Sequence, residues 1–223
     1  MLHKQTTPKT TFQLLEKLMS DPIFKDFALA GGTAISLYLG HRISIDLDLF
    51  SNQAFNTTEL ENYLSTQYNF QTNFTAKNTL KGEIDGVKID CITFNYPFFQ
   101  DIQNFDGVRL YPLPDIIAMK LLAIADNGTR LKDFIDIAFL STKYSFEEML
   151  AFAEYKFPNK NSQIFEKALL FHNDIIFSER IHLIDSTFYW EAIQKRLEDM
   201  TKDPKIIFEE LPTNIKTKNN LKL

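Results

Sequence analysis

An α/β (α+β) fold is what this 223-residue sequence predicts, and three stretches predict it. Residues 27–50 (FALAGGTAISLYLGHRISIDLDLF) read as a short apolar strand, a Gly-Gly turn, an apolar helix and a second strand. Residues 70–94 turn to strand character, with LKGEI and VKIDCITF flanking Asp85-Gly86, a strong two-residue hairpin signal. From Leu113 onward the sequence has helical periodicity, punctuated by Pro158 and by Asp185-Ser186-Thr187. A strand-containing core (residues 1–112) is therefore expected ahead of a helical region (residues 113–223). The boundary near residues 112–115 need not be flexible.

The remaining elements follow in order. In residues 10–19 (TTFQLLEKLM), Phe12, Leu15, Leu18 and Met19 recur at helical spacing, and Asp21-Pro22 ends the helix. Thr33 is placed to cap the helix after the glycines. Residues 57–68 (TTELENYLSTQY) predict a helix capped by Thr57 or Thr58. FQTNFTAKN alternates weakly, and residues 97–111 read as a loop with one short strand, VRLYP. Leu113-Pro114-Asp115 opens a helix that is apolar from Ile116 to Ala125 except for Lys120, so it is expected to be buried. SFEEMLAFAEYKF, NSQIFEKALLFHNDI and FYWEAIQKRLEDM predict three further helices, and the tail IKTKNNLKL is basic.

Composition narrows the function classes. With 44% hydrophobic residues the chain can bury a sizeable core, yet no apolar run is long enough to span a membrane. The polar start MLHKQTTPKTTF lacks the apolar segment of a secretion signal, and the lone Cys91 permits no internal disulfide. A cytoplasmic protein is expected. Twenty-four basic against 29 acidic residues give a net charge of −5, so a nucleic-acid partner would need a local basic patch. The four histidines lack metal-ligand spacing, and nothing resembles a Ser-His-Asp triad or a P-loop.

The chemistry concentrates in residues 27–50. Gly31 and Gly32 allow a sharp turn and close approach to a ligand. The helix N-terminus behind them suits a phosphate. In the next strand Ile43, Ile45, Leu47 and Leu49 are expected on one face and Ser44, Asp46 and Asp48 on the other. Two carboxylates about 7 Å apart could share hard cations such as Mg²⁺. In the second arm of the hairpin, Lys88, Asp90, Ile92 and Phe94 are expected on one face, which leaves Asp90 among apolar neighbours. Lys120, buried, needs a partner or a ligand. It either pairs with a structural carboxylate or is aimed at an anion. Asp133 and Asp136 share a helix face after Arg130. They are either ordinary charged residues of a helix start or groups that orient Lys120 or Arg130.

Ala30-Gly31-Gly32, a thirteen-residue spacer, then Asp46-Leu47-Asp48-Leu49 resembles the signature of DNA polymerase β-like nucleotidyltransferases. The longer block, GGTA ahead of HRISIDLDLF, is similar to that of the AbiEii/AbiGii nucleotidyltransferase toxins of bacterial abortive-infection and toxin–antitoxin systems. The resemblance covers about residues 12–140. It implies a mixed sheet flanked by helices and followed by a helical region. It also implies Asp46, Asp48 and Asp90 as metal-binding carboxylates for Mg²⁺ or Mn²⁺, with Asp90 helping to take the acceptor's proton. An NTP would lie with its phosphates on Gly31, Gly32 and Thr33, contacted by Ser44 and Lys120, with Arg130 nearby. Arg42 would face phosphate or brace the carboxylates, and Asp136 is the better of the two helix aspartates for a functional role. The resemblance further implies a cognate antitoxin, a phage-defence role and, as leading acceptor, tRNA. Protein AMPylation, transfer to a small molecule, or nucleotide binding without catalysis remain open.

Overall fold

The computed structural model of the chain describes residues 1–213. The basic tail, residues 215–223, lies outside the described residues. The elements in order are α1 (Lys9–Ser20), β1 (Ala28–Leu29), α2 (Gly31–Leu39), β2 (Leu47–Ser51), α3 (Thr57–Tyr68), β3 (Gln71–Ala76), β4 (Thr79–Ile84), β5 (Val87–Thr93), β6 (Gln103–Phe105) and β7 (Val108–Leu110). Then come α4 (Leu113–Asp126), α5 (Leu131–Leu140), α6 (Phe146–Lys156), α7 (Ser162–Leu169) and α8 (Trp190–Lys202). The strands form one seven-stranded sheet in the order β3-β4-β5-β2-β1-β7-β6. β2–β5 and β1–β7 are parallel pairs and the other neighbours are antiparallel, so the sheet is mixed, as expected.

Burial follows the alternation of the strands. Leu47 and Leu49 of β2 are fully buried, as are Ile89 and Cys91 of β5, and their alternates face the other way. Cys91 is a core residue, and burial pushes its thiol pKa up. α3 packs on β3 and β4 through Leu60 and Leu64. The long helix α4 is the hub of the helical half and touches α2, α5, α6 and α7, so the apolar core runs without a break across residue 112. A buried ion pair between Lys156 and Asp115 ties α6 to the start of α4. It also holds the loop before β6, because Lys156 donates to Pro97 O at 2.8 Å and Asp115 accepts from Phe99 N–H at 3.1 Å. Among the described residues no helix is long and apolar enough to cross a membrane.

Several local expectations are corrected. β2 begins at Leu47, not Ile43, because the backbone just before it bonds elsewhere. Ile43 N–H donates to His182 O, Ser44 N–H to Thr6 O, and Ile184 N–H to His41 O. Ile45 is consequently exposed and off the face of Leu47. Ala30, not Thr33, is the N-cap of α2. Asn56, not Thr57 or Thr58, caps α3 by accepting from Glu59 N–H at 3.2 Å. Residues 97–111 hold a hairpin of two short strands turned by Asp106-Gly107. α7 stops at Leu169, short of the helix expected there.

Candidate active site

Asp48 and Asp90 sit directly opposite each other on the parallel strands β2 and β5. Asp48 faces the N-terminus of α2, and Asp90 stands beside it on the same face of the sheet. Gly31 opens that helix with φ +66°, and a Cβ there would lie 2.1 Å from Asp48 Oδ2. Gly31 therefore makes room for the carboxylate as well as for the turn. Gly31→Ala is expected to lose about 1–2 kcal/mol from the left-handed backbone alone. It should also displace Asp48, so that activity falls further than stability. Parallel thermal melts and transfer assays check this. Gly32 has a different neighbour, since a Cβ there would lie 2.3 Å from Arg42 Nη2.

Behind the glycines is a buried ionic network. Arg42 donates to both oxygens of Asp136, from Nε at 2.7 Å and from Nη2 at 3.0 Å. His41 Nε2 lies 2.8 Å from Asp136 Oδ1. Asp136 is ionised and can only accept, so Nε2 carries the hydrogen. Lys120 Nζ is 3.0 Å from Asp136 Oδ2 and 2.5 Å from Asp133 Oδ1. Asp136 is wholly buried, which alone would raise its pKa. Arg42, Lys120 and the hydrogen bonds from His41 and Arg42 outweigh burial and hold it well below the usual range. Burial works against the charge on Lys120, but Asp133 and Asp136 hold its pKa above the ordinary value. Burial dominates at His41 and lowers its pKa, so the ring is neutral.

Sequence reasoning placed several of these groups differently. Arg42 is clamped on Asp136 with its side chain 2% exposed, so it braces a carboxylate and does not face solvent or phosphate. The Thr33 hydroxyl is engaged with Asp46 O and Ser44 Oγ, the latter at 2.9 Å. Ser44 is buried and lies before β2, not on the carboxylate face. What Thr33 and Ser44 do here is fix the backbone of Asp46, which adjoins the strand. Both alternatives for Lys120 meet in one geometry. It is paired with carboxylates, and it also lines a cavity with Asp48.

That cavity, about 250 Å³, has a polar side of Gly31, Asp48, Lys120, Arg130 and Asp133, and an apolar side including Phe50, Phe94, Ile116 and Met119. Arg130 Nε is 3.9 Å from Asp133 Oδ2, and its side chain is 61% exposed, which leaves it able to turn into the cavity. The apolar wall was not anticipated. Its signal was present in the alternation that sets Phe50 two residues beyond Asp48 and Phe94 four beyond Asp90.

The carboxylates suit a hard divalent cation by chemistry. Enclosure raises the pKa of Asp48, Asp90 and Asp46 push it the same way, and Lys120 and Arg130 oppose them. Like charges thus gather with one buried oxygen, Asp90 Oδ1, that has no hydrogen-bond partner. The other oxygen of Asp90 is held by Lys81 at 2.9 Å and Lys88 at 3.6 Å. In this arrangement no three His, Cys, Asp or Glu side chains among the described residues converge closely enough to hold a metal ion. Asp90 Oδ1 is the oxygen left to join such a site, while its Oδ2 stays on the lysines.

The family model described as "Nucleotidyl transferase AbiEii toxin, Type IV TA system" matches residues 13–98 and 67–210. An uncharacterised protein from Aquifex aeolicus (strain VF5) is 30% identical over 197 residues, covering 86% of this chain and 94% of that one. The crystal structure of JHP933 from Helicobacter pylori has the same fold, with a TM-score of 0.54 and 17% identity over 88% of this chain and 92% of that one. A second H. pylori structure matches at the same TM-score and identity, over 87% and 94%. The fold is that of the polymerase β-like nucleotidyltransferases, and the chain belongs to the AbiEii family of nucleotidyl transferase toxins of type IV toxin–antitoxin systems.

Proposed function

We propose that this protein transfers NMP from an NTP to an acceptor hydroxyl, with tRNA as the leading acceptor, and that it works in the bacterial cytoplasm as the toxin partner of an antitoxin in phage defence. The observation that carries the transfer reading is the in-register pair Asp48 and Asp90, with Asp48 facing the glycine-opened N-terminus of α2 and flanked by Lys120 and Arg130.

Asp46, Asp48 and Asp90 would hold Mg²⁺ or Mn²⁺. The bound ions would supply charge stabilisation at the attacking and leaving oxygens. The chain's own residues do the rest. The first backbone N–H groups of α2 point out of the helix end and donate to the β- and γ-phosphate oxygens of the NTP. Arg130 swings in from the rim as a mobile cation. Lys120 contributes fixed positive charge from a position set by Asp133 and Asp136, so no reorganisation accompanies the reaction. The apolar wall of Phe50, Phe94 and Met119 excludes water from the nucleoside side. The acceptor oxygen bonds to the α-phosphorus, the bond from that phosphorus to the bridging oxygen breaks, and pyrophosphate leaves. Asp90 takes the acceptor's proton on Oδ1, the oxygen that no lysine holds.

The test is incubation with Mg²⁺, each α-labelled NTP in turn, and bacterial tRNA with cell protein, using Asp48→Ala as control. Label in RNA that is lost in the variant is the expected result and identifies the nucleotide. Label in protein replaces the tRNA assignment with AMPylation-type chemistry. No label anywhere, with NTP still bound, overturns transfer in favour of nucleotide binding without catalysis.

A further inference from the structure

The sheet carries one row of side chains that the transfer chemistry uses only in part. Asp48 is opposite Asp90, Asp90 is opposite Lys81, and Lys81 is opposite Phe74. Directly opposed residues share a face, so the row runs from the reaction centre across β2, β5, β4 and β3 to the sheet edge. Phe74 reaches this face because of a β-bulge. The register shifts between Thr72 and Phe74. With regular pairing Phe74 would alternate with Gln71, opposite Glu83, and point to the side of α3. Bulges near active sites commonly re-aim a side chain in this way.

Toward the sheet edge the row presents exposed lysines and an aromatic ring. Phe74 is 53% exposed on a strand exposed at all six positions. Lys81 and Lys88 share the single carboxylate of Asp90, with side chains 38% and 54% exposed. Glu83 faces Lys88 one row over, so the two lysines are balanced by Asp90 and Glu83, and Lys81 is the cation that stands between Asp90 and Phe74. Both lysines stand beside the place where the acceptor arrives, exposed enough to turn from Asp90 to a phosphate. Phe74 stands two strand spacings from Asp90, about 10 Å, within reach of the first few nucleotides behind an attacking hydroxyl.

We propose that this row is the acceptor platform and that it takes a single-stranded RNA end. A base behind the terminal nucleotide stacks on Phe74, and Lys81 and Lys88 hold the phosphates between that base and the hydroxyl at Asp90. Stacking on an exposed aromatic beside lysines is how single strands are held without sequence readout. The inference rests on the transfer reading above and names its acceptor surface. It also explains how an acidic chain can engage RNA through a patch this small.

The experiment measures labelled transfer to a single-stranded RNA end with Phe74→Ala and Phe74→Trp. Alongside it, anisotropy follows a fluorescent RNA oligonucleotide without NTP. Phe74 is exposed, so neither change threatens the fold. For Phe74→Ala the RNA KM is expected to rise about tenfold with the NTP KM unchanged, and Phe74→Trp is expected to restore it. An unchanged RNA KM in Phe74→Ala overturns the platform and leaves the transfer reading standing. Label passing to protein, weakened by the same substitution, overturns RNA as the occupant. If the wild type transfers to nothing, the transfer reading fails by itself. The platform is then judged on anisotropy: RNA binding lost in Phe74→Ala upholds it, and binding unaffected by the substitution, or none in the wild type, overturns it.

Discussion

Asp48→Asn is expected to lower transfer by about 10³-fold or more, the scale of removing a group that acts on transition-state charge, and to raise the melting temperature of the metal-free protein. The second half follows from electrostatics. Enclosure, helped by Asp90 and Asp46, raises the Asp48 pKa in the folded state. A carboxyl with a raised folded pKa binds its proton more tightly when folded. Its ionised form therefore subtracts stability at every pH above its unfolded value, near 3.9. That penalty grows as pH rises from the unfolded value through the raised folded one, and the neutral amide of similar shape removes it. Each kcal/mol regained is worth about 2–4 °C in a chain of this size. Mg²⁺ then separates a functional carboxylate from a merely strained one. A cation bound only by the folded state stabilises it by mass action. Wild type should gain melting temperature on adding Mg²⁺ and lose it with a chelator, while Asp48→Asn should respond to neither. A variant that melts like wild type and still responds to Mg²⁺ would sink the assignment of Asp48. The trade has a physical origin: a site that gathers like charges for a cation is unstable until the cation comes.

How much of this could be read in the sequence depends on whether the signal was local. The strand–glycine–helix–strand order of residues 27–51, the hairpin at Asp85-Gly86 and the buried helix carrying Lys120 are local signals, and the structure has all three. The second hairpin carried the same signal, Asp106-Gly107, but its arms are only three residues each, too short for alternation to show. The opposition of Lys81 and Asp90 was also within reach. A two-residue turn at Asp85-Gly86 fixes the register, and counting back from Ile84 and Val87 sets Lys81 opposite Asp90. The sequence could not reveal what the backbone of residues 41–44 bonds to. Those partners, residues 182–184 and Thr6, are distant in the chain, and they explain why β2 starts late and why Ser44 and Ile45 left their expected faces. The phenylalanine at 74 was invisible for a related reason. A bulge changes which side a residue points to without changing its identity.

Asp136→Ala carries the other large effect, on the fold more than on the chemistry. It leaves Arg42, Lys120 and His41 around an empty acceptor in a place no water reaches, with Lys120 keeping only Asp133. Removing one member of a buried ion pair destabilises by about 3–5 kcal/mol. The melting temperature should fall by roughly 10 °C or more. The loss comes from stranded charge, so an apolar replacement of both partners, Arg42→Met with Asp136→Leu, should lose much less than Asp136→Ala alone. Equal losses would show that packing, not charge, is what Asp136 supplies. The network also sets the acid limit of the protein. The depressed Asp136 pKa gives stabilisation that is complete above its unfolded value near 3.9 and disappears as pH falls through the lower folded value. His41 acts earlier. Burial lowers its pKa, so below about 6.5 the unfolded chain takes up a proton that the folded ring resists, and stability declines from there downward. His41→Gln keeps an N–H donor for Asp136 and removes the titration. The gap between wild type and this variant, followed by thermal melts from pH 8 to pH 4.5, should therefore shift in favour of the variant as the pH drops. A gap that moves toward the wild type as pH drops would mean that the folded ring is charged and that Asp136 shares its charge with three cations, and a constant gap would mean that burial leaves the ring unshifted.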